Sequence, residues 1–165
     1  MIIKITNYPV GTHELVIEKS IKELQLDEPF IDKLNLICKM DKSPHQIILK
    51  CNLTINVKLN CDRCSEDYKT ELKSNFSLIY LFDRNDVGDE TNVFYLSPND
   101  DKIDITNDVI DYANLSIPMK KLCNENCKGL CVSCGTNLNY NKCNCKNIEV
   151  DPTWEPLLKL KDKLN

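Results

Sequence analysis

Six of the ten cysteines fall in one short segment, Cys123-x3-Cys127-x3-Cys131-x2-Cys134-x8-Cys143-x-Cys145, and a further Cys61-x2-Cys64 lies far upstream. Two thiolates separated by two to four residues can reach one tetrahedral zinc ion through a tight turn, with Zn–S bonds of about 2.3 Å. Eight cysteines in close pairs are therefore the donor set of two four-thiolate sites. Disulfides and iron–sulfur clusters use the same residue type, so the compartment carries weight. Ile2 to Asn7 read as a strand rather than an apolar leader, which sets the expectation of a cytoplasmic chain with reduced thiols. Spacing and compartment favour zinc in a structural role. The triplets at Asn52, Asn75 and Asn114 read as products of an Asn-rich composition, not as glycosylation sites.

Cys131-x2-Cys134-Gly135 has the form of a zinc-ribbon knuckle, because a glycine after the second cysteine can take positive φ as the turn closes. Cys143 and Cys145 lie within reach of the same ion. Cys61 and Cys64 are then left to share the second ion with Cys123 and Cys127. An alternative joins Cys61 and Cys64 to Cys131 and Cys134, with the other four as looser ligands. Either way the sites are all sulfur and closed, the structural pattern, whereas a catalytic zinc keeps a position open for water. Cys38 and Cys51 stand alone on apolar strands and read as small core residues.

The elements that must position these sulfurs are strands. Leu49, Cys51, Leu53, Ile55, Val57 and Leu59 alternate with polar residues, the period of a half-buried strand, and that strand runs directly into Cys61. Tyr68 to Phe82 is its return partner, with Leu72, Phe76, Leu78 and Tyr80 on one side, so the first cysteine pair sits on a hairpin turn. Ile2 to Ile5, Leu15 to Ile17, Leu34 to Met40 and Val93 to Leu96 are further short strands. Asp41 to Pro44 favour a turn. Thr106 is expected to cap a helix to about Leu115 that buries Val109, Ile110 and Ala113, with Pro118 beyond it. Asp151-Pro152-Thr153 opens a short C-terminal helix carrying Leu157, Leu158 and Leu160.

A chain of 165 residues can bury a core without metal, and its apolar runs, such as Leu78 to Phe82, are far short of the roughly 20 residues a membrane helix needs. Net charge is −4, yet Lys120, Lys121, Lys128, Lys142 and Lys146 face only Glu125 in the cysteine-rich segment. Four thiolates on a divalent ion add a formal −2 per site and offset that excess. The lysines are either a solvated loop or a phosphate-facing patch. His13 and His45 lie in no metalloprotease motif, and no Gly-rich phosphate loop or nucleophile elbow occurs. Asp83-x-Asn85-x2-Gly88 is no calcium loop, since Val87 and Phe94 stand where oxygen donors belong. No enzyme is expected.

Cys61-Asp62-Arg63-Cys64 after a long strand, Ile103-Asp104-Ile105 before a helix and Ile117-Pro118-Met119 form a recognisable series. It continues through Leu122-Cys123-x3-Cys127-Lys128-Gly129-Leu130-Cys131-x2-Cys134-Gly135-x-Asn137-Leu138-Asn139 and closes on Asp151-Pro152. Together these resemble the YceD family, also known as DUF177, over about the last two thirds of the chain. The resemblance implies a cytoplasmic bacterial protein, or an organelle counterpart, linked to accumulation or processing of large-subunit (23S) ribosomal RNA, and it names no catalytic residue. The family's hairpin pair maps onto Cys61 and Cys64, and its C-terminal cysteines onto Cys123, Cys127, Cys131, Cys134, Cys143 and Cys145.

The expected fold is α+β: an antiparallel sheet with a few helices and a zinc-stapled C-terminal segment. Its expected divisions are a β-rich domain over 1–116 that carries the hairpin pair, a cysteine-rich segment over 117–150, and a helix over 151–165. The expected function is a non-enzymatic ribosome biogenesis factor holding two structural Zn2+ ions. Its partner would be large-subunit rRNA or a pre-ribosomal particle, with Arg63, Lys120, Lys121 and Lys128 as phosphate contacts. The alternative is a zinc-stapled adaptor for a protein, for example a ribosomal protein. Neither reading involves a membrane or a small-molecule substrate.

Overall fold

The computed structural model describes residues 1–83, 91–97 and 99–145. Among the described residues the strands are β1 (Ile2–Lys4), β2 (Gly11–Ser20), β3 (Phe30–Lys42), β4 (Gln46–Asn60), β5 (Asp67–Leu81), β6 (Val93–Tyr95) and β7 (Lys102–Asp104), followed by the α-helix α1 (Thr106–Leu115). β2 to β6 form a five-stranded sheet in sequence order, and β1 pairs with β7 in a separate two-stranded one. All pairings are antiparallel except β5 with β6, which is parallel. This is the expected α+β class, with one mixed edge in the sheet.

The period-two pattern of β4 is obeyed throughout: Leu49, Cys51, Leu53, Ile55, Val57 and Leu59 are all buried. Register carries the same face across to β5, since Leu49 lies opposite Leu78, Cys51 opposite Phe76 and Ile55 opposite Leu72. α1 closes this face with Val109 and Ala113, both buried, and Tyr112 stacks on Phe76 at 4.3 Å between ring centroids. A fully buried valine or leucine here contributes roughly 1.5–3 kcal/mol relative to its exposed state.

Two local expectations are corrected. Thr106 is the first helical residue rather than the cap. The Asp104 carboxylate accepts its backbone N–H at 3.0 Å and also its hydroxyl. These bonds, the hydroxyl first and then the N-terminal ammonium of Met1, hold the Asp104 carboxyl down at about 2. Cys38 and Cys51 are buried as expected, but they are joined in a disulfide rather than free. The reason is register. Ser43 closes the β3–β4 turn, its hydroxyl accepting the Gln46 N–H at 3.1 Å and its own N–H donating to the Gln46 carbonyl at 2.9 Å. Counting back from that turn places Cys38 directly opposite Cys51.

The described residues divide into two compact units, one within Met1–Asn60 and Asp67–Lys121, the other made of Cys61–Glu66 and Leu122 to Cys145. By these contacts Cys61 and Cys64 group with the cysteine-rich segment, and the two units meet in sequence after Lys121. The glycine of the discounted calcium pattern and the C-terminal helix expected from Asp151 lie outside the described residues.

Candidate metal centres

The second unit is built on two copies of one turn. In Cys61–Glu66 the Cys61 N–H donates to the Glu66 carbonyl at 2.9 Å, and the Ser65 N–H donates back to the Cys61 carbonyl at 2.8 Å. In Cys131–Thr136 the Cys131 N–H donates to the Thr136 carbonyl at 2.8 Å, and the Gly135 N–H returns to the Cys131 carbonyl at 2.8 Å. The closing residue has positive φ in both, Ser65 at 56° and Gly135 at 72°. Such a turn aims successive amides at the first sulfur. Amides of Cys123, then Cys64 and Arg63, bring the Cys61 thiol down to about 6, and the amides of Cys134 and Ser133 do the same for Cys131.

Each knuckle is completed by a second pair. Cys61, Cys64, Cys123 and Cys127 form one group and Cys131, Cys134, Cys143 and Cys145 the other, with the sulfurs of each group within 4.8 Å of one another. This is the sequential pairing; the alternative of Cys61 and Cys64 with Cys131 and Cys134 is not the arrangement present. Four sulfurs at about 2.3 Å from a tetrahedral ion lie about 3.8 Å apart. Cys61 and Cys127 are 3.9 Å apart and Cys64 and Cys123 3.6 Å, spacings far beyond the roughly 2.05 Å of a disulfide. Desolvation and the neighbouring sulfurs push Cys123 up to about 12, and the bond to Cys134 does the same first for Cys145. A group in which some thiols ionise readily and crowd their neighbours is one a divalent cation stabilises.

Polar residues brace the first group. Asn124 accepts the Asn126 N–H at 2.9 Å, which turns the chain between Cys123 and Cys127. The Asn139 amide donates to Cys127 Sγ at 3.3 Å and lowers that thiol, while its Oδ1 accepts the Lys128 N–H at 2.7 Å. Arg63 Nη1 donates to the carbonyls of Cys127, at 2.9 Å, and Glu125, at 3.1 Å. Its own carbonyl accepts the Leu130 N–H at 3.0 Å. Arg63, expected as a phosphate contact, thus ties the first knuckle to the segment around Cys127. Lys128 is exposed in the same unit, and Lys120 and Lys121 end the first unit. Sequence reasoning missed Asn139, Thr136 and the Glu66–Tyr140 bond of 2.9 Å. The Asn137-x-Asn139 spacing was the available signal, since such residues bond their own backbone two positions on, as Asn137 does to the Asn139 N–H.

An α+β sheet protein whose long hairpin supplies half of a cysteine group, and whose following segment holds a second, defines a class of protein with two four-sulfur sites able to hold metal ions. The chain belongs to the YceD family: residues 49–161 match the family described as "Large ribosomal RNA subunit accumulation protein YceD". It is 28% identical over 177 residues to the chloroplastic Large ribosomal RNA subunit accumulation protein YCED homolog 1 of Arabidopsis thaliana, covering 91% of this chain and 54% of that protein. The Zea mays protein of the same name is 30% identical over 119 residues, covering 54% of this chain and 41% of the relative. An uncharacterized protein of Mycobacterium tuberculosis is 31% identical over 61 residues, covering 37% of this chain and 29% of its own. The chain thus spans about half the length of the two plant relatives. No solved structure matches. Among the described residues no helix is long and apolar enough to cross a membrane.

Proposed function

We propose that this protein is a non-enzymatic factor that supports accumulation of large-subunit rRNA by associating with that RNA or its precursor particle, and that its eight clustered cysteines hold two structural zinc ions. The single observation that carries the functional reading is the family match over residues 49–161. The zinc reading is supported by two separate four-sulfur groups, the sulfurs of each within 4.8 Å of one another, with spacings of 3.9 and 3.6 Å in the first that match a tetrahedral ion. Four protein sulfurs fill a zinc ion's coordination and leave no place for water, so the metal would supply folding free energy, on the order of 10 kcal/mol, rather than catalysis.

On this reading Lys120, Lys121 and Lys128 meet phosphate, while Arg63 holds the module in shape. A net charge of −4 keeps the affinity for bare RNA low, so contacts are few and a ribosomal protein assists. The working compartment is the one that holds the ribosomes, the cytoplasm in a bacterium. The adaptor reading has one observation in its favour: residues 100–115 carry Asp100, Asp101, Asp104, Asp108 and Asp111 against Lys102 alone, and among the described residues only Asp104 of these is paired, with the Met1 ammonium, an acidic balance suited to a basic protein. Depletion of the protein from its host tests the leading reading. The ratio of large-subunit to small-subunit rRNA should fall; a normal ratio overturns it.

A further inference from the structure

Beside the first sulfur group, the second unit carries a recess of about 210 Å³ lined by Glu66, Asn124, Asn126, Asn139 and Tyr140 together with two of the cysteines, Cys123 and Cys127. The recess is smaller than the roughly 300–1,000 Å³ of a typical small-molecule pocket, so it takes a fragment of something larger. Tyr140 is 72% exposed, yet its hydroxyl is tied to Glu66 at 2.9 Å, so the ring is held out in solvent at a fixed edge. The Asn126 side chain has no partner among the described residues, and Asn124 engages only its oxygen. An anchored aromatic face beside amides with both donors and acceptors to offer matches a nucleobase, which presents a flat face and a polar edge.

Charge decides which part of a nucleotide enters. Glu66 and the sulfurs make the recess negative, which repels phosphate and admits an uncharged ring. The Lys128 backbone N–H is bonded to Asn139, a lining residue, while its exposed side chain is not part of the lining and has no ion pair among the described residues. We propose that Tyr140 and this recess take one unpaired base of single-stranded RNA, stacked on the ring and bonded to the asparagine amides, with Lys128 on an adjoining phosphate. The proposal rests on the RNA-associating reading above and adds to it a preference for unpaired RNA.

The test uses full-length, zinc-loaded protein, a short fluorescein-labelled single-stranded RNA of mixed sequence, and the same RNA annealed to its complement. Tyr140→Ala should weaken single-strand binding roughly five- to hundredfold, the range for loss of one base–aromatic stack, and leave duplex binding and zinc content unchanged. Tyr140→Phe, which keeps the ring, should retain most of the affinity. Lys128→Ala should instead flatten the salt slope by about 0.7. Single-strand binding by Tyr140→Ala at the wild-type level, with the Lys128 effect intact, overturns the base subsite and leaves RNA association standing. An equal loss on single strand and duplex also overturns it. Absence of single-strand binding by the wild type at low salt overturns the base subsite, whereas association with the precursor particle stands or falls on sedimentation. Should Tyr140→Ala shed zinc, Asn126→Ala decides, and unchanged single-strand affinity there overturns the proposal.

Discussion

Gly129→Ala offers a test of the first sulfur group that touches no sulfur. Gly129 has φ +76°, and a Cβ built on it would lie 2.9 Å from the Arg63 carbonyl oxygen, a backbone atom. A left-handed conformation costs a non-glycine residue roughly 1–2 kcal/mol. That carbonyl also accepts the Leu130 N–H at 3.0 Å, so it cannot retreat without weakening a hydrogen bond of about 0.5–1.5 kcal/mol. The sum, about 1.5–3.5 kcal/mol, corresponds to roughly 13- to 370-fold weaker metal retention at the group of Cys61, Cys64, Cys123 and Cys127. Gly135→Ala is the matched control in the other group: its φ is +72° but nothing lies within 4 Å of the added carbon, so only the conformational cost applies. Competition by a chromophoric chelator, read separately for each group in cysteine variants that retain only one, measures both losses. Equal fold-losses for the two substitutions would refute the argument that the knuckle backbone and Gly129 pack in contact.

Further outcomes follow from the same geometry. Elemental analysis of freshly purified protein should give two zinc ions per chain; one or none contradicts the two-site account, and iron contradicts the metal. Cys61→Ser and Cys127→Ser should remove the same ion, and Cys134→Ser and Cys145→Ser the other, so Cys61→Ser combined with Cys134→Ser must cost both. Denatured, unreduced, chelator-treated protein should show eight reactive thiols, and ten would mean that Cys38 and Cys51 are not bonded. Asp104→Ala should cost about 1 kcal/mol, as for loss of a helix cap. Because the folded-state carboxyl titrates at about 2, below its ordinary value, its stabilisation is present above about pH 4 and lost as the pH falls toward 2. The difference between variant and wild type should therefore vanish over that window in acid denaturation followed by the helix signal.

The sequence was most legible where the pattern is local. Alternation from Leu49 to Leu59 marks one face of β4 because side chains along a strand point alternately to opposite sides, and the helix from Thr106 to Leu115 shows in Val109 and Ala113. The cysteine spacing marked the four close pairs, each with one to three intervening residues, while the choice between the two ways of joining them came from the sulfurs' convergence in space. Less legible were features that depend on pairing between distant segments. The Cys38–Cys51 bond follows only once Ser43 fixes the hairpin register, and the parallel edge made by β6 has no counterpart in its own few residues. The charge of Arg63 is visible in sequence, but its backbone partners are not. The carbonyls of Glu125 and Cys127 that engage it lie about sixty residues away.

Sedimentation of cell extract through a density gradient tests the central claim, that this protein works by associating with the large-subunit RNA or its precursor particle, most directly. The wild-type chain should co-migrate with large-subunit precursors and leave them as salt is raised. Replacing Lys120, Lys121 and Lys128 together by Ala should weaken that co-migration and flatten its salt dependence, with zinc content and fold intact. A wild-type protein that stays at the top of the gradient, away from every large-subunit species at low salt, would contradict the account.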